Sequence, residues 1–271
     1  MAKQKNGNGD GDNLPAKKKK KKEFLALTQV DTLKELVEMN IGGGTVSAFD
    51  LDRIQIPTGG LTVWTVPTLE GEDHPKTLDG IIIHMADPRS YWAQGFDESG
   101  GGTPPDCQSE DGVSGYGSRS EGEPEGHHSC ATCPLAQFGS DHRGRGQACK
   151  AQKAIFMLRE DTLLPICLVL PPTSLGFAKK YFMRLLSHNV MASGVITRWE
   201  LQKVQNPDGI NYSRAEPSSV RPLNKSEREK VKAYTATILP YLEGKRQEVE
   251  ALPIPATEEE PEETVEEVEE E

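Results

Sequence analysis

The feature that most constrains this chain is the segment "CATCPLAQFGSDHRGRGQAC", residues 130 to 149, which carries three of its five cysteines. Cys130 and Cys133 stand two residues apart, Cys149 closes the segment, and Cys107 lies upstream beyond an acidic, glycine-rich run. A Cys-x2-Cys knuckle lets both sulfurs point at one ion from a tight turn, and two further thiolates complete a tetrahedral site. The expected ligands are therefore Cys107, Cys130, Cys133 and Cys149, with zinc as the cofactor. His127, His128 and His142 lie close enough in sequence for one to replace Cys107, His128 being the first choice. Gly144 and Gly146 suit the close backbone approach of a metal loop.

Other readings stay open at this point. An iron–sulfur cluster would use the same thiolates, although the spacing matches no ferredoxin-type run. A redox Cys-x-x-Cys pair normally opens a helix in a βαβ setting, whereas here Pro134 leads into "LAQFGSDHRGRG". Unligated cysteines in a loop are the third possibility. A closed site of four protein ligands is structural, since catalytic zinc keeps a position for water. Cys167, in "LPICLVLPP", sits in apolar company and reads as core.

Why such a clip is needed follows from composition. Residues 90 to 126 are glycine, serine, proline and acid, with eight acids against Arg119 over residues 97 to 126. Such a stretch cannot bury a core of its own. Metal binding supplies what apolar burial does not, about 10–16 kcal/mol in zinc-finger peptides.

Charge is sharply divided along the chain. Residues 1 to 22 hold eight lysines, six of them in the run Lys17 to Lys22, against Asp10 and Asp12. Residues 258 to 271 hold ten glutamates and no base, which leaves -7 of the overall -11 for residues 23 to 257; residues 97 to 126 account for that -7, and the remaining body is close to neutral. Like-charge blocks of this kind are disordered interaction arms. The N-terminus has no apolar signal core, and no stretch approaches the roughly 20 apolar residues of a spanning helix. The expectation is a soluble, cytoplasmic protein with no membrane partner, in a compartment where thiols stay reduced.

Along the chain, residues 24 to 40 suggest a short helix capped by Asp31 and stopped by the glycines at 42 to 44. "TVSAFDLDRIQIP" and "GLTVWTVP" read as a β-hairpin across Thr58-Gly59-Gly60, and "DGIIIHMADP" as a further strand. "QACKAQKAIFMLRED" predicts a helix, "LLPICLVLPP" a buried strand, and "TSLGFAKKYFMRLLSHN" a helix capped by Thr173 or Ser174 with Phe177, Tyr181 and Leu185 on one face. "GVITRWELQKVQNPDGINYSRAEP" predicts two strands about a Pro207-Asp208-Gly209 turn. In "NKSEREKVKAYTATILPYLEGK" Ser226 and Glu229 fit a capping box, and Pro240 kinks or ends the helix. The fold class is α+β, mainly β: an OB-like small barrel with an inserted zinc-binding loop, flanking helices and disordered termini. The boundaries are a basic arm at 1–23, a core at 24–245 with the acidic loop and zinc insertion at about 97–150, and an acidic tail at 246–271. A generic α+β sheet gives much the same pattern.

The layout of lysine-rich head, zinc-bearing β body and glutamate tail resembles phage single-stranded-DNA-binding proteins such as the helix-destabilising protein of the T-even phages. "CATCPLAQFGS", "GQACK" and "LPICLVLPPTSL" also look like a group of little-characterised phage and prophage proteins, over roughly residues 105 to 190. The gap after Cys107 is much longer than in the T-even pattern, so no ligand-by-ligand correspondence is carried over. The resemblance implies single-stranded DNA as partner, a role in replication or recombination inside a bacterial host cell, and a tail that recruits replication or recombination proteins.

Single-strand binders combine a cationic groove with aromatic platforms. The strand-borne candidates are Arg53, Trp64, Arg198, Trp199, Lys203, Tyr212 and Arg214, with Tyr91 and Trp92 at a strand end. Arg198 and Trp199 alternate, so they face opposite sides of a strand. Core packing competes with stacking for each aromatic, and Lys179, Lys180 and Arg184 are either a positive rim or a solvated helix face. No P-loop, G-x-S-x-G or H-E-x-x-H appears, and a metal-nuclease triple of Asp50, His84 and Asp87 is the kind any chain of this size supplies. The chain is expected not to be an enzyme. The competing function is a zinc-bearing adaptor that binds proteins through its charged arms.

Overall fold

Strand β4 (Thr77–Ala86) sends alternate side chains to two separate cores, Ile81 and Ile83 to one and Leu78 and Ile82 to the other. This division of one sheet between two buried faces organises the body. The computed structural model of the chain describes residues 24–29, 32–41, 48, 50–94, 104–207 and 209–242. The architecture is mixed α+β with strands predominating, and its main sheet is curled into a half-barrel. Asp31, the glycines at 42–44, Asp208, the lysine run and the glutamate tail lie outside the described residues.

The main sheet has six strands. Around β4 lie β1 (Arg53–Gln55), β10 (Lys153–Leu158), β11 (Ile166–Leu170), β12 (Val195–Gln205) and β13 (Asn211–Pro222), in the order β1-β11-β10-β4-β12-β13. Only β1 with β11 is parallel, Ile54 standing opposite Leu168. Register shifts at Phe156/Met157 in β10 and Ile196/Thr197 in β12 mark bulges, which bend a strand and increase its twist.

One face is covered by α1 (Leu25–Thr28), α2 (Leu33–Ile41) and α4 (Lys225–Leu242), through Phe24, Leu27, Leu33, Val231, Tyr234 and Ile238. The other holds α3 (Pro172–Ser187), with Ala178, Leu175 and Phe182 against Ile155, Met157 and Leu168. Helix α3 touches both β13 and β11, strands separated by three others, as a helix cradled in a curled sheet does. Its buried Tyr181 hydroxyl is 2.9 Å from Thr197 Oγ1, pinning the helix inside the curl. Among the described residues no helix is long and apolar enough to cross a membrane.

Several local expectations are corrected. Residues 147–161 form no helix: β9 (Lys150–Ala151) and β10 run through them. Ala154 to Leu158 are all buried because β10 is covered on both faces, and a short doubly buried strand has no period-two pattern to distinguish it from a helix. Among the described residues the two runs before residue 68 do not pair with each other. Strand β1 joins β11, whereas β2 (Val66–Thr68) pairs with β3 (Gly71–Asp73). Helix α3 starts at Pro172 with Pro171 as N-cap and no side-chain cap. Proline is pre-set for that first turn, and the Ser174 hydroxyl instead accepts the Ala215 N–H at 3.0 Å, tying helix to sheet. The capping box of α4 lies two residues earlier than expected: Asn224 Oδ1 accepts from Glu227 N at 2.9 Å, and Glu227 Oε2 accepts from Asn224 N at 2.8 Å.

Between β4 and β10 the chain builds a second sheet, in the order β8-β7-β6-β5-β9. Its strands are β5 (Arg89–Tyr91), β6 (Cys107–Ser109), β7 (Ser114–Gly117), β8 (Gly126–Ser129) and β9. Because β5 pairs with β9 as β4 pairs with β10, this sheet extends the end of one long hairpin. The buried residues described from 104 to 151 are Ser109, Gly115, Gly117, Cys133, Ala136 and Cys149. The insertion therefore has strands without an apolar core.

Candidate metal centre and nucleic-acid surface

The small sheet brings the four distant cysteines within electrostatic reach of one another. Cys107 opens β6, Cys130 follows β8, Cys133 precedes a 3-10 turn at Pro134–Ala136, and Cys149 precedes β9. Cys133 N donates to Cys130 O at 3.4 Å, closing the knuckle turn, and Cys149 N donates to Leu135 O at 2.8 Å, folding the end of the loop back beside it. All five cysteines are free of disulfides.

Gly115 lies between two of the sulfurs. A Cβ there would stand 3.3 Å from Cys107 Sγ and from the Gln108 carbonyl oxygen, a tight contact, and 3.6 Å from Cys130 Sγ, an ordinary one. Gly117, at φ 136°, is bound more tightly still, since a Cβ would overlap the Asp106 carbonyl and stand 2.6 Å from Cys107 Cα. That backbone conformation is one L side chains rarely adopt.

Electrostatics show the same convergence. Burial pushes the Cys107 thiol up, and the nearby Cys149, Cys133 and Cys130 thiols add to the rise. Burial also raises Cys149, against the pull of the Arg89 guanidinium and with further pushes from Cys133 and Cys130. Arg89 Nη2 donates to the Cys149 carbonyl at 3.1 Å. Arg119, paired with Glu123, is within electrostatic reach of Cys133 and Cys107. Two arginines thus flank four thiols. Among the described residues no three Cys, His, Asp or Glu side chains are closed around a single point in the geometry of a bound ion. Thiolates are the ligand type soft metals take, and the groups that perturb Cys107 and Cys149 are the other cysteines and the two arginines.

The histidines are engaged elsewhere. His128 Nε2 donates to the Gly117 carbonyl at 2.9 Å. His127 packs edge-on against Tyr116, ring centroids 5.1 Å apart, and His142 Nε2 accepts from Arg143 Nε at 3.2 Å. Cys167 is core, as expected, its thiol pushed up to about 11 by burial.

The nucleic-acid candidates on the strands are scattered by the fold. Trp64 and Trp199 are wholly buried in the core beneath α3, which corrects their assignment as stacking platforms: their rings have no exposed face to offer a base. Arg198 is held by Asp79 in a bidentate pair at 2.7 and 2.6 Å. Arg214 pairs with Glu216 at 2.5 Å and lies over the Phe177 ring, 3.9 Å from its centroid. Lys203 and Arg53 are exposed and Tyr212 is half-buried. Tyr91 and Trp92 line a cavity of about 510 Å³ with Asp106, Ser118 and Glu121. Lys179, Lys180 and Arg184 are solvent-facing on α3.

Sequence reasoning passed over Phe138, which is 83% exposed on the loop between Cys133 and Cys149. Its signal was an aromatic set beside a glycine-rich arginine loop, "FGSDHRGRG". Compared with protein-family models, with curated proteins and with solved structures, the chain matches none of them.

Proposed function

We propose that this protein binds single-stranded DNA without catalysing a reaction, serving replication or recombination of a phage or mobile element in a bacterial cell. The observation that carries the reading is the segregation of charge, with a net +6 in residues 1–22, ten glutamates in residues 258–271 and a net -7 in residues 97–126, around an α+β body that is otherwise nearly neutral. A lysine arm neutralises phosphates and releases their counterions, giving affinity without sequence preference. A polyglutamate tail mimics the polyanion: it occupies cationic surface until DNA displaces it, and is then free to recruit protein partners. In this reading the curled sheet is an OB-like half-barrel whose concave side is filled by α3, so that contact falls to the arm and the insertion.

The insertion is read as a zinc-clipped module held by Cys107, Cys130, Cys133 and Cys149. Burial, and then the neighbouring cysteines, disfavour ionisation of Cys107 and Cys149, and a bound dication would remove that penalty. When bound, zinc would supply the cross-link that the insertion's missing apolar core does not. Arg89 and Arg119 are placed to offset the negative charge of four thiolates.

An adaptor that binds proteins through its charged arms is the second reading. It is favoured by the occupation of Arg198, Arg214 and Arg221 in pairs with Asp79, Glu216 and Glu227. Fluorescence anisotropy of a labelled single strand of about thirty nucleotides, long enough for one or more typical sites, decides between them. Salt-sensitive binding that resists duplex competitor and tightens in a chain ending at Thr257 supports the first reading; no binding at low salt removes it.

A further inference from the structure

We infer that the loop between Cys133 and Cys149 is the element that touches single-stranded nucleic acid, with Phe138 as the base-stacking platform and Arg143, Arg145 and Lys150 as phosphate contacts. The inference rests on the single-strand-binding reading above and assigns it a surface.

Phe138 is the most exposed aromatic side chain among the described residues, and its exposure is built in. Gly139 N donates to Gly146 O at 2.7 Å, closing the loop immediately after Phe138. Ser140 Oγ donates to Leu135 O at 2.8 Å and accepts from Ala148 N at 2.9 Å, fastening the loop to the turn that follows Cys133. At the tip, Gly144 N donates to Asp141 O at 2.9 Å and Arg145 N to Asp141 Oδ1 at 2.8 Å. A floppy loop could fold its phenylalanine onto the protein, but this one holds it away.

Charge complementarity names the occupant. The insertion is acidic over residues 97–126, yet from Pro134 to Lys150 its charged side chains are Arg143, Arg145 and Lys150 against Asp141 alone. Asp141 accepts from the Arg145 amide of its own loop; Arg143, Arg145 and Lys150 are exposed, Lys150 Nζ donating to the Gln147 carbonyl at 2.7 Å and Arg143 Nε to His142 Nε2 at 3.2 Å. The Gly139–Gly146 closure sets Arg145 and Phe138 at the same neck. An exposed ring flanked by cations, without a shaped pocket, suits stacking on any unpaired base with phosphates alongside. A duplex presents no such base face. The loop lies between two of the four converging thiols, so a metal there would also fix the contact surface.

The test uses the full chain, labelled oligothymidylate and the variants Phe138→Ala, Phe138→Trp and Arg143→Ala/Arg145→Ala. Circular dichroism and metal content show whether each variant remains folded. Phe138→Ala should weaken binding about tenfold, the scale of one lost base stack. Phe138→Trp should retain affinity and add fluorescence that the oligonucleotide quenches beyond the wild-type response, in which Trp64 and Trp199 are buried and only Trp92 is partly exposed. The double arginine variant should lower the slope of log affinity against log salt by about 1.4, two single-strand phosphate contacts. Folded variants that bind like wild type overturn the inference and leave the single-strand reading intact; wild type that fails to bind overturns both. Tighter binding by the variants, as loss of a docking site for the glutamate tail would produce, also overturns it.

Discussion

The indole N–H of Trp64 donates to the backbone carbonyl of Trp199 at 3.2 Å, and both side chains are wholly buried. The contact spans 135 residues of sequence and fastens the irregular segment before β2 onto the central sheet. Its consequence is that two of the chain's three tryptophans are core residues with no ring face open to a ligand. Trp64→Ala should cost about 3–5 kcal/mol, the range for a large aromatic removed from a packed core. Trp64→Phe should cost less, about 1–3 kcal/mol, through the lost hydrogen bond and an unpartnered carbonyl. Urea unfolding followed by fluorescence checks both, and DNA affinity of the folded Phe variant should be unchanged.

Asn224 and Glu227 satisfy each other's backbone amides at the start of α4. Asn224→Ala should destabilise the body by about 1 kcal/mol, the usual value of an N-cap. Ser226→Ala should have little effect, although Ser226 is the residue the sequence pattern favours. A shift of the urea midpoint in the second variant but not the first would reverse the assignment.

Gly117 separates insertion from body as a test site. Gly117→Ala forces a side chain into the Asp106 carbonyl beside Cys107. It should abolish metal uptake while leaving the burial of Trp64 and Trp199 as in wild type, read as their unchanged protection from a soluble quencher, whereas Trp92, which lines a cavity with Asp106, responds.

Asp111 gives the insertion a pH dependence. Hydrogen bonds from the Val113 amide, then the Ser114 amide, hold its carboxyl below the usual carboxylate range. A depressed folded value means that the group stabilises the β6–β7 turn above the ordinary carboxylate pKa and loses that contribution as pH falls through the folded value. The amide shifts of Val113 and Ser114 should titrate together with a midpoint below that of an ordinary aspartate. A midpoint at or above the ordinary value would contradict the assignment.

What the sequence disclosed depended on whether one face of an element was open. The β12–β13 hairpin was legible because its outer residues are polar and its turn holds Gly209, at φ 82°, with Ile210 N donating to Asn206 Oδ1 at 2.8 Å. Strand β10 was misread because residues 154–158 are buried on both sides and alternate with nothing. The same double burial hid the fate of Trp64 and Trp199: alternation with Arg198 located Trp199 on a face without revealing that α3 covers it. The cysteine spacing suggested convergence of Cys107, Cys130, Cys133 and Cys149, while the strands that bring Cys107 to the rest were illegible, since "CQS" and "SGYG" pair without apolar burial. Phe138 was missed because an isolated aromatic in a loop has no period to interpret.

The claim on which the rest depends is that four thiols hold one metal ion and thereby fold the insertion and present its loop. Metal analysis of the purified full-length chain, paired with thiol titration of the undenatured protein, measures this most directly. The account predicts one zinc per chain, with four thiols unreactive until a chelator is added and Cys167 shielded until the body unfolds. A protein without bound metal, whose Cys107, Cys130, Cys133 and Cys149 react freely while strands β5–β9 stay ordered, would contradict it.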